Sequence, residues 1–373
     1  MIERRYDIDW LRVFATYLLF PFHIGKVFDV PPYYPIKSPD LSPLLGSFTG
    51  FIHLWHMPLF FLLAGWSLHA SMALRGVRTA LRERVDRILI PFVAGTVTLC
   101  LVVGYYERVM MTGQPLSFWQ YAPKFFTSLD YFTWSQLWFL IYLFTFTLLW
   151  MPLFRRLLAK EGAMTLRHTW HIYRPIPALI LMQGILRIWW PGYQNLYNDW
   201  GNFCCYSAMM LLGFILGSQP VVAEAIQREW RRAAVFGALL AALTIWGWSH
   251  PEWPDAMRHI AYYVPGTAAG YCILIGMLGF AREHLNRRNG ALDYLAESAL
   301  PVYILHQAGI VVPGWYIVHL NLPMAARIAL LLVVSVTVTM AVYHCLVRPF
   351  SLTRRLSGMK ARSRRVATSL HGD

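Results

Sequence analysis

The chain has 373 residues, of which 57% are hydrophobic and only 14% charged, and its mean hydropathy is +0.42. A soluble protein carries closer to about 25% charged residues, so composition excludes a soluble globular domain and points to a membrane protein with many spans. The formal charge of +14 would suit a nucleic-acid binder, but its distribution along the chain argues against one.

Ten mostly apolar segments of 17 or more residues follow one another: 10–29, 49–71, 88–107, 134–154, 174–190, 203–219, 233–249, 260–281, 299–318 and 325–347. Each is close to the ~20 residues with which a helix crosses a bilayer core. The expected fold is all-α, a polytopic bundle of about ten transmembrane helices with both termini cytoplasmic. With the N-terminus inside, 25 of the 33 Lys and Arg residues fall in cytoplasmic segments, six fall outside, and Arg12 and Arg187 lie within spans. Cytoplasmic loops carry such an excess, and the inverted topology would reverse it. The alternation also requires the weak fifth segment, with Pro175, Pro177, Gln183 and Arg187, to cross. The first span begins with Asp7 and Asp9 and no small-residue cleavage site follows it, so it is expected to be retained.

Taken in chain order, the first span carries Arg12 and His23, 11 residues apart, hence on one helix face about 16 Å apart. Ionisable groups inside a membrane are functional-site candidates. An imidazole titrates near neutral pH and can take a proton from a hydroxyl. Arg12 can anchor an anion, and Asp9, three residues before it, is its expected ion-pair partner. The Pro-rich loop 30–48 is expected to be ordered but not helical. In a second span starting near Thr49, His53 and His56 lie about 6 and 10 Å below the outer face, His56 level with His23. The three imidazoles are placed to meet in an outer-half cavity. No acidic residue stands by to orient them as metal ligands, so no metal is expected.

Inner loop 72–87 spaces Arg75, Arg78, Arg82 and Arg84 as an amphipathic helix along the inner surface would. Arg82, Arg84 and Arg87 suit a polyphosphate, because a guanidinium donates paired hydrogen bonds; the inside excess of positive charge also accounts for them. Trp138 opens the fourth span, where an aromatic belt residue would sit. Cys100, Cys204, Cys205, Cys272 and Cys345 fall in or beside spans without metal-ligand spacing and read as packing residues. In the ninth span His306 lies about 10 Å from the inner face, and Tyr303 and His306 are candidates to line a passage. The basic tail suits anionic lipid.

Asp9-Trp10-Leu11-Arg12, followed by ten residues and His23, resembles the opening of the integral-membrane acyltransferase-3 family, with its Arg-x10-His motif. Phe60-Phe61-Leu62-Leu63-Ala64-Gly65-Trp66 resembles the family's second helix, with Ala64 in place of the usual serine. Arg84-Val85-Asp86-Arg87-Ile88-Leu89-Ile90-Pro91 is similar to its Arg-x-x-Arg-then-Pro entry to the third helix. Leu137-Trp138-Phe139-Leu140 and Tyr303-Ile304-Leu305-His306 resemble two later elements, in the family's order. Val347-Arg348-Pro349 lacks the Glu that many members have before the final Arg-Pro. Within the family the pattern is similar to the glucan biosynthesis protein C-like subgroup.

The resemblance implies an acyltransferase domain over 1–350 and a basic cytoplasmic tail over 351–373, in a bacterial inner membrane. It implies O-acylation of an extracytoplasmic carbohydrate such as a glucan. The donor would be a cytoplasmic acyl-CoA, acetyl or succinyl, used as a co-substrate and not held as a cofactor. Arg12 and His23 become the essential pair, His23 as general base, and Arg82, Arg84 and Arg87 become donor contacts. The acceptor would enter near His53 and His56, with Trp138, Tyr303 and His306 along its path. A succinyl group would need a cation, for which Arg187 is the candidate. No residue suggests an acyl-enzyme, so direct transfer is expected. Expected partners are membrane lipid, the carbohydrate and glycan-synthesis proteins, with no nucleic acid. A transporter or exporter of a small solute or lipid is the alternative, distinguished by flux without acyl transfer and by broken helices in paired halves; a non-catalytic partner of a glycan synthase is a third class.

Overall fold

The structure is a computed structural model that describes residues 5–32, 34–113, 116–250 and 252–360. Arg4 and the tail residues 361–373, counted above among the cytoplasmic cations, lie outside the described residues. The described residues form helices and connecting loops, with no strand among them. In chain order the main helices are α1 (Tyr6–Phe28), α2 (Pro43–Arg75), α3 (Val77–Thr112) and α4 (Ser135–Leu149 with Met151–Ala159). They continue as α5 (Pro175–Trp189), α6 (Trp200–Ser218), α7 (Pro220–Trp248), α8 (Asp255–His284), α9 (Gly290–Ile317), α10 (Met324–Val347) and α11 (Ser351–Leu356).

Each of the ten expected apolar segments lies in or largely within one of α1 to α10. Seven helices are long and apolar enough to cross a membrane, or up to eight if the halves of α4, bent by 59°, form one span. The two others expected to cross differ for separate reasons. Helix α5 has only 15 residues. Helix α7 has 29, but its first half carries Glu224, Arg228, Glu229, Arg231 and Arg232.

Helix boundaries follow backbone chemistry more closely than apolar runs. Pro43 begins α2 six residues before the expected start, in the first turn, where its missing N–H costs nothing. Gly76, at φ +77°, is the corner between α2 and α3. The arginine-rich stretch after it does not lie apart on the surface. It runs without interruption into the third span. Pro21 cannot donate to the carbonyl of Tyr17, and α1 is interrupted at Leu18. Pro91 stands between two π-helical turns, Val85–Leu89 and Thr96–Cys100. Such turns recur at functional sites, and here the first carries Arg87.

Two helices meet backbone to backbone. A Cβ on Gly65 of α2 would fall 2.0 Å from the carbonyl oxygen of Met210, and one on Gly213 of α6 would fall 1.9 Å from that of Leu62. Small residues permit this approach, the usual way membrane helices gain contact without a hydrophobic drive. One turn before Gly65, Phe61 stacks on Tyr206 of α6 at 4.8 Å and meets the edge of Phe139 at 4.8 Å. The described residues 351–360 pack against the helical body. Arg354 of α11 is buried and bonds Glu297 of α9 at 3.1 Å.

Gly65→Val and Gly213→Val are expected to lower the thermal midpoint in detergent by at least about 2–6 °C, since overpacking costs about 1–3 kcal/mol. Gly46→Val, where nothing lies within 4 Å of the added Cβ, is the control expected to shift it by less than 1 °C.

Candidate active site

One cavity of about 290 Å³ runs between α1, α2, α3, α4 and α9. Its polar end holds Arg12, Ser67, Ser71, Arg75, Glu83, Arg84 and Arg87. Its other end is Thr16, Phe60, Phe139, Leu140 and Tyr303. The order along the helices makes the gradient. On α2 the lining residues are Phe60, the adjacent pair Leu63 and Ala64, Ser67, Ser71 and Arg75, recurring every three or four residues, so one face passes from apolar through hydroxyl to cation.

Each cation is held in a different way. Arg12 donates to Asp9 at 2.9 Å, the partner expected from the sequence, and to Ser67 of α2 at 2.9 Å. Arg75 pairs with Glu83 at 2.6 Å, and Ser71 bridges both. Arg84 donates to the carbonyl of Ala64 at 3.2 Å, and Arg87 to that of Gly358 at 3.0 Å. Neither Arg84 nor Arg87 has a carboxylate partner among the described residues, so this end of the cavity carries uncompensated positive charge.

Beyond the apolar end lies a layer of aromatic rings and imidazoles. Phe60 is 5.1 Å from His56 and Tyr303 is 5.9 Å from His306, centroid to centroid. His306 is 5.1 Å from His23, and Phe22 touches both His23 (4.9 Å) and His56 (5.8 Å). His56 Nε2 donates to the carbonyl of Ala15 at 2.7 Å, and His306 Nδ1 to that of Tyr303 at 2.6 Å. His23 has no such tie, and its buried Nδ1 has no partner.

From the other side this layer is covered by the loop between α1 and α2. Tyr34 stacks on His23 at 5.6 Å. Burial pushes the Tyr34 phenol well above its ordinary range, with the charge of Asp29 adding to it, so the hydroxyl keeps its proton. Asp29, fully buried, holds the loop. It accepts from Lys26 at 2.7 Å, Lys37 at 2.8 Å and Thr49 at 2.8 Å. Farther along, Asp40 pairs with buried Arg327.

The structure rearranges several expected sites. His23 and His56 are in one layer, but the third imidazole is His306 and not His53. Helix α2 is distorted at Leu54 and Trp55, where Trp55 leaves helical geometry at φ −129°. His53 and His56 therefore no longer share a face, and His53 is exposed. His306 reaches the layer because its helix starts at Gly290 and not near 299. It lies about 24 Å along α9, as His23 lies about 26 Å along α1. Arg82 is exposed and does not line the cavity; two residues from Arg84 on a helix, it points to the opposite side. Trp138 is buried against Tyr142 and Tyr206, at 5.3 and 5.6 Å, and does not line the cavity. Arg187 is engaged by Gln183, the Pro191 carbonyl and Asn202, away from the cavity. Among the described residues, the lining of the cavity does not include His23. The cavity ends at Phe60 and Tyr303, and His23 lies one layer beyond. Arg75, Ser67, Glu83, Tyr34 and Gly358 were not anticipated; the α2 stripe of Phe60, Ala64, Ser67, Ser71 and Arg75 indicates two of these five, Ser67 and Arg75. Among the described residues no group of three or more His, Cys, Asp or Glu is arranged to hold a metal ion.

A family model described as an acyltransferase domain matches residues 5–344. Glucans biosynthesis protein C of Escherichia coli O1:K1 is 23% identical over 332 residues, covering 84% of this chain and 84% of the relative. The proteins of the same name from Escherichia coli K12 and Shigella dysenteriae serotype 1 are 22% identical over the same length and shares. No solved structure matches the chain.

Asp29→Ala leaves two partly buried lysines without their carboxylate. Breaking such a pair costs about 3 kcal/mol, so the thermal midpoint is expected to fall by about 6 °C or more. Arg82→Ala is expected to leave it unchanged.

Proposed function

The chain belongs to the membrane acyltransferase-3 family, and from that premise we propose that it moves a small acyl group from a cytoplasmic acyl-CoA to a hydroxyl of an extracytoplasmic carbohydrate. The glucan of the relatives' name suggests the acceptor class. The orientation in a bacterial inner membrane belongs to this reading, supported by the unequal distribution of Lys and Arg.

The observation that carries the proposal is a cavity with guanidiniums lacking a carboxylate partner at one end and an imidazole layer behind the other. Arg84 and Arg87, with Arg75, receive the donor's phosphates. Arg12, fixed by Asp9 and Ser67, orients the arm that carries the thioester. The far end, without a cation, favours an uncharged acyl group such as acetyl over succinyl, whose carboxylate would be buried unpaired. Phe60 and Tyr303 swing aside when the donor arm enters, bringing the thioester to His23. The acceptor approaches from the outer side, past Tyr34.

His23 takes the proton of the acceptor hydroxyl as its oxygen attacks the thioester carbonyl. The tetrahedral intermediate collapses with rupture of the C–S bond. The leaving sulfur receives the same proton from the imidazolium, so CoA leaves as a free thiol and the ester stays on the sugar. His23 suits this role because it shares α1 with Arg12 of the cavity wall, eleven residues away and so on the same helix face.

Thiol release from acetyl-CoA and succinyl-CoA, with a glucan oligosaccharide as acceptor, tests the reading. His23→Ala is expected to lose at least 100-fold in kcat with an unchanged thermal midpoint. Arg84→Ala and Arg87→Ala are expected to raise KM for the donor about tenfold each, about 1.4 kcal/mol. A folded His23→Ala protein that still transfers acyl groups would overturn the mechanism. Ala299→Phe, which fills the apolar end, is expected to retain donor binding and lose transfer; full activity would disconnect the cavity from the reaction.

A further inference from the structure

His306 is the most enclosed imidazole of the layer, with no accessible surface. Its Nδ1 lies 2.6 Å from the carbonyl oxygen of Tyr303. A carbonyl only accepts, so the ring proton is on Nδ1 and Nε2 presents a lone pair. That Nε2 is buried and has no hydrogen-bond partner, and the Nδ1 of His23 is buried and without a partner too. The two ring centroids are 5.1 Å apart. Two imidazoles joined by one N–H···N bond of ~2.9 Å, each nitrogen about 1.1 Å from its ring centre, stand about 5 Å apart. The spacing therefore suits one direct bond, reached by a rotation of the His23 ring.

Unsatisfied polar atoms inside a protein are rare, and each calls for an explanation. Here two such atoms are complementary. One is an obligate acceptor, because its own ring proton is committed elsewhere. The other belongs to a ring whose free tautomer is not fixed by any bond. The remaining titratable groups that face the pair are His56, bonded to the Ala15 carbonyl; Tyr34, stacked on His23; Tyr303, whose hydroxyl donates to the Gln136 carbonyl; and Lys26, paired with Asp29. Tyr303 contributes twice. Its carbonyl sets the proton of His306, and its ring closes the cavity.

We propose that His306 is a positioning residue for His23. Its Nε2 accepts the Nδ1 proton of His23 and so holds the base in the tautomer whose Nε2 lone pair is free to take a hydroxyl proton. The Tyr303 carbonyl, His306 and His23 then form a relay of orientation resembling in logic the carboxylate that fixes a catalytic imidazole elsewhere. No net proton moves along it. A backbone carbonyl and a neutral ring serve where a buried carboxylate would be expensive. The inference rests on the reading of His23 as general base, but the tautomer can be measured without turnover.

The test is ¹⁵N spectroscopy of histidine-labelled protein in lipid nanodiscs above the titration range of the rings, with the His23 signals assigned by their loss in His23→Gln. The wild type is expected to show His23 protonated at Nδ1. His306→Ala is expected to shift His23 toward the Nε2-protonated tautomer that predominates for a free imidazole. His306→Gln, whose side-chain oxygen can accept in place of Nε2, is expected to restore the wild-type pattern. In turnover, His306→Ala is expected to lose at least tenfold in kcat with KM for the donor within twofold, and His306→Gln to recover most of the loss. A wild-type His23 protonated at Nε2, or a tautomer indifferent to His306→Ala, overturns the inference. Full activity of a folded His23→Ala protein would instead overturn the base reading, whatever tautomer is observed.

Discussion

Cations inside a helical bundle must be answered, and around this cavity the answers fall short. Four guanidiniums line it, from Arg12, Arg75, Arg84 and Arg87. Asp9 and Glu83 answer two of them, while Arg84 and Arg87 are met only by carbonyl oxygens of Ala64 and Gly358. A carbonyl dipole orients a guanidinium without neutralising it. The cavity therefore keeps a positive potential that an anionic ligand would relieve.

The fold is arranged around that unbalanced end. The first π-helical turn of α3 lies just before Pro91 and carries Arg87. The close contact of α2 with α6 at Gly65 and Gly213 fixes the helix whose neighbouring residue, Ala64, supplies the carbonyl for Arg84. Three residues on from Ala64, the hydroxyl of Ser67 accepts from Arg12 at 2.9 Å. Arg348 of the Arg348-Pro349 corner meets a carboxylate from across the bundle. Glu297 of α9 accepts from Arg354 and lies 3.5 Å from Arg348.

Much of this was legible in the chain. Apolar length gave the helices, and the Arg12–His23 spacing marked the helix that spans from the cavity to the imidazole layer. What was not legible depended on backbone breaks and on helix starts outside the apolar runs. The distortion at Leu54 and Trp55 separates His53 from His56. The extra turns before residue 299 carry His306 to the level of His23. Arg82 was grouped with Arg84 and Arg87 by sequence proximity, although residues two apart on a helix face opposite ways. The stripe from Phe60 to Arg75 was visible as a 3–4 periodicity but is informative only once the α3 cations are known to face it.

The ends of the cavity and the imidazole layer are divided by two rings, Phe60 and Tyr303. An unobstructed aqueous duct through a coupling membrane would leak ions and collapse the electrochemical gradient on which the cell depends. On the proposed reading, this partition, shut at rest, lets reactants from two compartments be joined while the bundle stays electrically tight, as an airlock does.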